Sequence, residues 1–193
     1  MKIAEPFLVN LLIFVPIVLL IIWGKRGINI SKRGMIVLII FSIGFGFVEA
    51  AGIVFLRGAN NFLPQQMHIK EGAINLSEAE QQAFLVERMF TMFYRVEFIR
   101  EIATMIMIIS ISIAVGKGWA ERFIIFLWIF GIWDISYYIF LRILIGWPNS
   151  FLSYDFLFLV PVPWYGQVWY PLLVSGMTLL VIIYLSVYKR GVA

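Results

Sequence analysis

Apolar residues along this chain fall into five long runs, which short polar or basic stretches separate. The runs cover about residues 7–23, 35–56, 95–115, 123–145 and 171–188. One helical crossing of a bilayer needs about 20 apolar residues, and each run comes close to that length. The pattern therefore predicts an all-α fold, a polytopic membrane helix bundle of about five transmembrane helices in one domain over residues 1–193.

Two longer stretches, 57–94 and 146–170, connect predicted helices on the same side of the membrane. Ser77-Glu78-Ala79-Glu80 has the Ser-x-x-Glu form that begins helices. A helical pattern continues from Glu78 to Val115, and these 38 residues would extend about 57 Å. Because that length exceeds one crossing, the first half of this helix is expected to project from the membrane or lie along its surface.

The stretch 146–170 is rich in aromatic residues and contains or borders four prolines, Pro148, Pro161, Pro163 and Pro171. Proline interrupts regular helices, so we predict a rigid, irregular path and no sixth helix. Tryptophan and tyrosine concentrate where a membrane meets water, which favours an interfacial aromatic belt. A cap over the helix ends, or a surface that binds an apolar tail, is the alternative.

Composition supports lipid as the solvent of this chain. Hydrophobic residues make up 62% of the sequence and charged residues 13%, with a mean hydropathy of +0.95. Soluble domains carry roughly 25% charged residues, which this chain does not approach. The absence of cysteine excludes disulfides, thiolate metal sites and cysteine nucleophiles.

The net charge of +4 reflects clusters of basic residues beside the apolar runs, so we do not expect a nucleic-acid partner. Residues 24–34, residues 116–122 and the C-terminus together hold eight Lys or Arg. Such a bias predicts that the N-terminus lies outside and the C-terminus inside. The expected surroundings are the lipid bilayer of a prokaryotic cytoplasmic membrane, with a homo-oligomer or other membrane subunits as further partners.

Several ionisable residues lie within the predicted spans, where each costs roughly 2.5–3.5 kcal/mol on insertion scales. Glu49 shares a helical face with Ser42, Gly46 and Gly52, so we predict that it points into the bundle. The third and fourth spans add further polar side chains, which the spacing places on one face of each helix. They are Glu97, Arg100 and Glu101 on the third span and Asp134, Tyr138 and Arg142 on the fourth.

These residues predict a polar pocket in the outer half of the membrane, with Arg100 able to pair with Glu97 and with Asp155 and His68 above it. Three interpretations of the pocket remain open. Structural Glu–Arg pairs would set helix register, and Glu49, Glu97, Glu101 and Asp134 could instead bind a divalent cation as cofactor. In the third, Asp134, Glu49 and tyrosines transfer protons.

The function predicted from this pocket is cation binding or proton transfer, and a non-catalytic subunit of a larger membrane complex is the alternative. Lipid or quinone chemistry is a further possibility. His68 lies in a polar loop and is predicted to be a surface residue.

Much of the chain resembles a family of small, uncharacterised prokaryotic polytopic membrane proteins. The resemblance rests on Trp133-Asp134-Ile135-Ser136-Tyr137-Tyr138, Gly146-Trp147-Pro148 and Tyr154-Asp155 with Leu157-Phe158-Leu159 and Pro161-x-Pro163-Trp164. Phe47-Val48-Glu49-Ala50, Leu56-Arg57 and Arg100-Glu101-x-Ala103-Thr104 are also similar, whereas Tyr154 replaces a tryptophan. The resemblance supports the helical layout and implies no established activity. It places Glu49, Arg57, Arg100, Glu101, Asp134 and Asp155 in the matching motifs.

Overall fold

The structure is a computed structural model that describes residues 4–23, 31–59, 92–160 and 163–188. Helices dominate these residues, which confirms the predicted helix bundle. A 3₁₀ helix, Phe7–Phe14, continues as α1, Val15–Trp23. The other helices are α2 (Lys32–Ala59), α3 (Met92–Val115), α4 (Trp119–Ile145) and α5 (Trp169–Tyr188). Residues 60–91, with the predicted capping box and His68, lie outside the described residues.

Four of the described helices are long and apolar enough to cross a membrane. These spans are Lys32–Leu56, Arg95–Val115, Trp119–Ile145 and Trp169–Val187. The first helical segment has 17 residues, Phe7–Trp23, but its eight 3₁₀ residues rise about 2.0 Å each. Together with the α-helical part it reaches about 30 Å, the thickness of the hydrocarbon region. The larger rise per residue of the 3₁₀ helix thus gives this short segment the length of a full span.

The direction of each helix follows from its cross-contacts. Trp128 Nε1 lies 3.4 Å from the Met35 carbonyl oxygen, and Gly46 packs against Ser136, so α2 and α4 run parallel. Ser175 of α5 meets Asp134 of α4, and Leu179 further along α5 packs against Gly131 earlier in α4, so these two helices are antiparallel. We call the end with the α3–α4 turn and the start of α2 the turn end. The opposite end is the sheet end.

A three-stranded antiparallel sheet lies at the sheet end and was not predicted. Its strands are β1 (Ala4–Glu5), β2 (Tyr154–Phe158) and β3 (Trp164–Gln167), in the order β1-β3-β2. The expectation of an irregular path over 146–170 is therefore wrong for the two strands. Alternating aromatic side chains favour strands, and pairing satisfies backbone groups beside a membrane.

Asn10 joins the sheet to the first helix. Its side-chain amide accepts a hydrogen bond from the Ala4 N–H at 3.1 Å and donates one to the Ala4 carbonyl at 2.9 Å. Ala4 also pairs with Gly166 of β3, so its backbone has partners on both sides. A second tie comes from Tyr170, whose hydroxyl donates to the Val9 carbonyl at 2.7 Å.

The largest apolar core lies toward the turn end. It contains fully buried aliphatic residues from four helices, including Leu19, Ile108, Ile129 and Ile182. The close approach of α2 and α4 depends on Gly46, because a Cβ atom there would lie 2.7 Å from the Ser136 Cβ. This contact keeps the two helices at a distance that only a very small residue allows.

Candidate functional site

An ion pair joins α2 to α3 inside the bundle. Glu49 is 6% exposed, which confirms that it points inward, and the Arg100 guanidinium donates to its Oε2. The Thr104 hydroxyl lies 2.9 Å from Glu49 Oε1 and 3.0 Å from the Arg100 carbonyl oxygen. The main partner of Arg100 thus lies on another helix, whereas the spacing had suggested Glu97. The pair thus links α2 to α3 within the bundle.

Asp155 forms the contact between the sheet and α4. It is 3% exposed because alternation along β2 turns its side chain toward the helices. The buried Tyr138 hydroxyl donates to Asp155 Oδ2 at 3.2 Å. The charge of Asp155 also acts on Glu101 of α3 and Asp134 of α4. Asp155 is thus the common neighbour of polar groups from two spanning helices.

Asp134 lies one helical turn deeper than Tyr138 on the same face of α4, and the charges of the two groups interact. The Ser175 hydroxyl of α5 donates to Asp134 Oδ2 at 2.7 Å. Ser175 was not among the predicted site residues. The signal was present, since Ser175 and Thr178 are three residues apart on a largely apolar helix and both are buried.

Glu101 makes a second contact between α3 and the sheet. Its carboxylate accepts a hydrogen bond of 2.6 Å from the Leu159 N–H, directly after β2. Arg100, Glu97 and Asp155 all act on Glu101 electrostatically. Glu97 itself is half-buried near the start of α3. The helix therefore presents one carboxylate to the sheet and an arginine to α2.

Arg142 contacts the end of its own helix, and its predicted place in the polar pocket stays a prediction. The side chain is exposed, and its guanidinium donates to the Gly146 carbonyl and, at 3.0 Å, to the Pro148 carbonyl. A helix ends with carbonyl groups that lack helical partners, and a cation in the last turn satisfies them. Arg142 thus stabilises the end of α4, where Gly146 adopts a φ of 69°.

The prediction of a divalent-cation site finds no support among the described residues. Among residues 4–23, 31–59, 92–160 and 163–188, no three acidic or histidine side chains are placed so that they could hold a metal ion. Three of the four predicted ligands have separate partners, because Glu49 bonds to Arg100, Asp134 to Ser175 and Glu101 to Leu159. His68 and the Arg57 side chain fall outside the described part of the chain.

The outward face of the sheet is aromatic. Tyr154 and Tyr165 stack with their ring centroids 5.3 Å apart, and Phe156 contacts Tyr165 at 5.5 Å. Burial, with smaller contributions from Tyr154 and Asp155, raises the pKa of Tyr165 to about 12. The phenol therefore stays neutral at physiological pH, as an interfacial aromatic surface requires.

Two sets of polar residues lie toward the sheet end. One is Glu49, Arg100 and Thr104, which join α2 to α3. The other consists of Glu101, Asp134, Asp155 and Tyr138, and we refer to these four residues below as the carboxylate group. No protein-family model matches the chain, and neither a curated protein nor a solved structure matches it. Function is therefore inferred from the geometry of these two groups.

Proposed function

We propose that the protein exchanges protons through its carboxylate group, which serves as an acid–base site at the sheet end of a membrane helix bundle. The observation that carries the proposal is the position of Asp155. Its carboxylate receives the Tyr138 hydroxyl and acts electrostatically on both Glu101 and Asp134. Intramembrane chains of acidic side chains are the usual elements of proton relays.

The proposed proton exchange depends on like charges that lie close together in a medium of low dielectric constant. Three neighbouring carboxyl groups compete for the same protons, so they titrate as a coupled set. In the step that we propose, a proton enters at Asp155 and passes to Asp134, with the Tyr138 hydroxyl as the intermediate donor and acceptor. One O–H bond forms for each that breaks, and the Ser175 hydroxyl stabilises the Asp134 carboxylate.

The apolar core supports exchange with one side of the membrane only. Beneath Asp134, toward the turn end, the buried side chains include Ile129, Leu38 and Ile108. Buried Ser42 and Ser112 donate to carbonyl groups of their own helices at 2.7 Å, which satisfies them locally. Among the described residues, this layer contains no buried titratable side chain that could relay a proton. We therefore propose an acid–base site that opens at the sheet end in place of a channel.

We also propose that the sheet end faces the outside of a prokaryotic cytoplasmic membrane. The basic residues that flank the spans are concentrated at the other end, beginning with Lys32, Arg33, Lys117 and Arg122. Positively charged connections remain on the cytoplasmic side during insertion. The carboxylate group would then exchange protons with the external solution, or with a substrate that reaches the outer leaflet.

Infrared titration of the full chain in lipid nanodiscs tests the proposal. The carboxyl bands of the parent protein should titrate as a coupled set, so Asp155→Asn should shift the titration of the carboxyl groups that remain. Asp134→Asn and Tyr138→Phe should each change the same bands. Glu121→Gln is the matched control, because Glu121 lies at the turn end and accepts a hydrogen bond from the Lys117 N–H.

Sidedness is measured on proteoliposomes of known protein orientation with an impermeant buffer on each side. A pH step at the sheet end should change the carboxyl bands rapidly, and a step at the turn end should not. Bands that titrate independently in every variant would contradict the proposal. The proposal would also be contradicted if the carboxyl bands responded equally to the two pH steps and the parent protein conducted protons across the membrane.

The Glu49–Arg100 pair favours a second candidate, a structural subunit of a larger membrane complex. Its charges compensate each other, and α3 is the least buried of the four described spans. Apolar side chains such as Ile99, Ile106 and Ile113 are exposed along α3 and could contact lipid or another subunit. Mild extraction followed by native mass spectrometry separates the two candidates. A stable hetero-complex that dissociates on Ile106→Ser, with coupled titration absent, would favour the structural subunit.

A further inference from the structure

The turn between α3 and α4 is a rigid element at the turn end. Gly116 is buried, and a Cβ atom there would lie 2.7 Å from the Arg122 Cγ and 2.8 Å from the Arg122 N. The Arg122 Nε donates to the Gly116 carbonyl at 3.0 Å, and the Lys117 N–H donates to Glu121 at 3.0 Å. These contacts fix the direction of the Arg122 guanidinium, and the Nε bond uses one of its five N–H groups.

Further basic side chains lie at the same end. Lys32 and Arg33 are exposed at the start of α2, which runs parallel to α4 and whose Met35 carbonyl lies 3.4 Å from Trp128 Nε1 in the first half of α4. Lys117 is also exposed. The described residues of the turn end include four basic side chains, Lys32, Arg33, Lys117 and Arg122, and one acidic side chain, Glu121. The end therefore carries a local excess of positive charge.

Trp119 indicates what this charged end contacts. Its side chain is 84% exposed at the first residue of α4, between Lys117 and Arg122. A large apolar ring in that position is costly in water and favourable at the boundary between headgroups and acyl chains. Basic groups and an exposed tryptophan at the same end of the bundle match the phosphate and glycerol region of a phospholipid.

We propose that the turn end binds anionic phospholipid headgroups through Lys32, Arg33, Lys117 and Arg122, with Trp119 inserted beside them. The phosphate oxygens accept hydrogen bonds from the guanidinium and ammonium groups, and these charge-assisted bonds are the strong ones. Each basic side chain near an anionic membrane surface strengthens attraction by about fivefold in affinity. This surface is independent of the acid–base site at the other end.

The test measures lipid preference around the full chain in bilayers of phosphatidylcholine with spin-labelled lipids. We expect the parent protein to retain labelled phosphatidylglycerol several-fold more than labelled phosphatidylcholine. Lys117→Gln and Arg122→Gln should each reduce this preference, up to about fivefold, and added salt should weaken it. Arg95→Gln is the matched control, because Arg95 is exposed on α3 at the sheet end, and it should keep the preference.

Arg122→Lys distinguishes charge from turn structure, since it keeps the charge and removes the Nε bond to Gly116. We expect it to retain most of the preference. Equal retention of the two lipids by the parent protein would overturn the proposal. It would also be overturned if Arg95→Gln reduced the preference for phosphatidylglycerol as much as Arg122→Gln does. A third contrary result would be loss of the preference in Arg122→Lys while Lys117→Gln keeps it. Competition by inorganic phosphate alone, with no lipid preference, would assign the surface to free phosphate.

Discussion

The two halves of the helix bundle differ in the charged groups that they bury. Toward the turn end, the interior is mostly aliphatic and aromatic, with Leu19, Ile129 and Leu185 almost completely buried, and buried polar residues such as Ser42 and Ser112 are uncharged. Toward the sheet end, Glu49, Glu101 and Asp155 are buried, and each has a donor close by. Both halves are built from the same helices, so the difference lies in the hydrogen-bond donors that each half provides to a buried polar group.

Donors from outside the helical backbone make the sheet end different. A regular helix satisfies its own backbone groups, so a bundle of helices has few backbone donors left for a buried carboxylate. The sheet end adds a free backbone N–H at Leu159, and side chains such as Tyr138 and Ser175 supply hydroxyl groups. Buried acids are tolerated where such donors exist, and elsewhere they are excluded. The comparison predicts that an acid placed in the apolar half destabilises the protein more than an apolar residue placed in the polar half.

The largest effect is expected when an acid enters the apolar half. Ile129→Asp removes a fully buried side chain and places a carboxyl group among Leu, Ile and Trp. We expect a loss of about 4 kcal/mol or more, from the lost packing and the cost of the polar group. Asp134→Ile is the reciprocal change and should cost about 1–3 kcal/mol, because it leaves the Ser175 hydroxyl without its partner. Yields of monodisperse protein and thermal unfolding midpoints in detergent measure both. Equal losses would mean that the halves do not differ as described.

A double-mutant cycle on Glu49 and Arg100 gives the next largest effect. Arg100→Gln leaves the buried Glu49 charge without its guanidinium and should cost about 3 kcal/mol. Adding Glu49→Gln should recover part of that loss, with a coupling of more than about 1 kcal/mol. Chemical unfolding of each variant supplies the four values. Additive losses in the double variant would show that the pair contributes little to the contact between α2 and α3.

A smaller effect is expected at the boundary between the halves, where α2 approaches α4. Gly46→Ala places a methyl group 2.7 Å from the Ser136 Cβ, so it should destabilise the protein by about 1–3 kcal/mol. Gly44→Ala is the control, since a Cβ atom there has no neighbour within 4 Å. It should be neutral or stabilising by up to about 1 kcal/mol, the helix propensity of alanine over glycine. The same unfolding assay applies, and equal shifts would contradict the close contact.

The smallest effect concerns the rim of the sheet end. Burial raises the pKa of Tyr165 to about 12, above the value of about 10 in an unfolded chain. The folded protein therefore holds this proton more tightly, and stability should fall as the pH rises from about 10 to about 12. Tyr165→Phe should make that decline shallower. Thermal midpoints across this pH range measure the difference, and identical slopes in the parent protein and the variant would contradict a shifted Tyr165.

Sequence pattern was sufficient for the helices and for part of the site. Runs of apolar residues placed all five helical segments, with boundaries that differ by about four residues at most. The helical spacing of Ser42, Gly46 and Glu49 was sufficient to turn Glu49 inward, because residues three and four apart share a face. It could not identify Arg100 as the partner of Glu49. That contact joins residues 51 positions apart, and Glu97 was equally reachable from local spacing.

Local periodicity and composition thus determine that this chain forms apolar membrane helices with acidic residues on their inner faces. Those properties depend on neighbours within one or two helical turns, which the sequence itself contains. Tertiary structure alone decided that Arg142 caps a helix, that residues around Asp155 form a sheet, and that Ser175 meets Asp134. These outcomes depend on which helix ends and strands come together in space. The burial and pairing of polar groups in a medium without water select that arrangement.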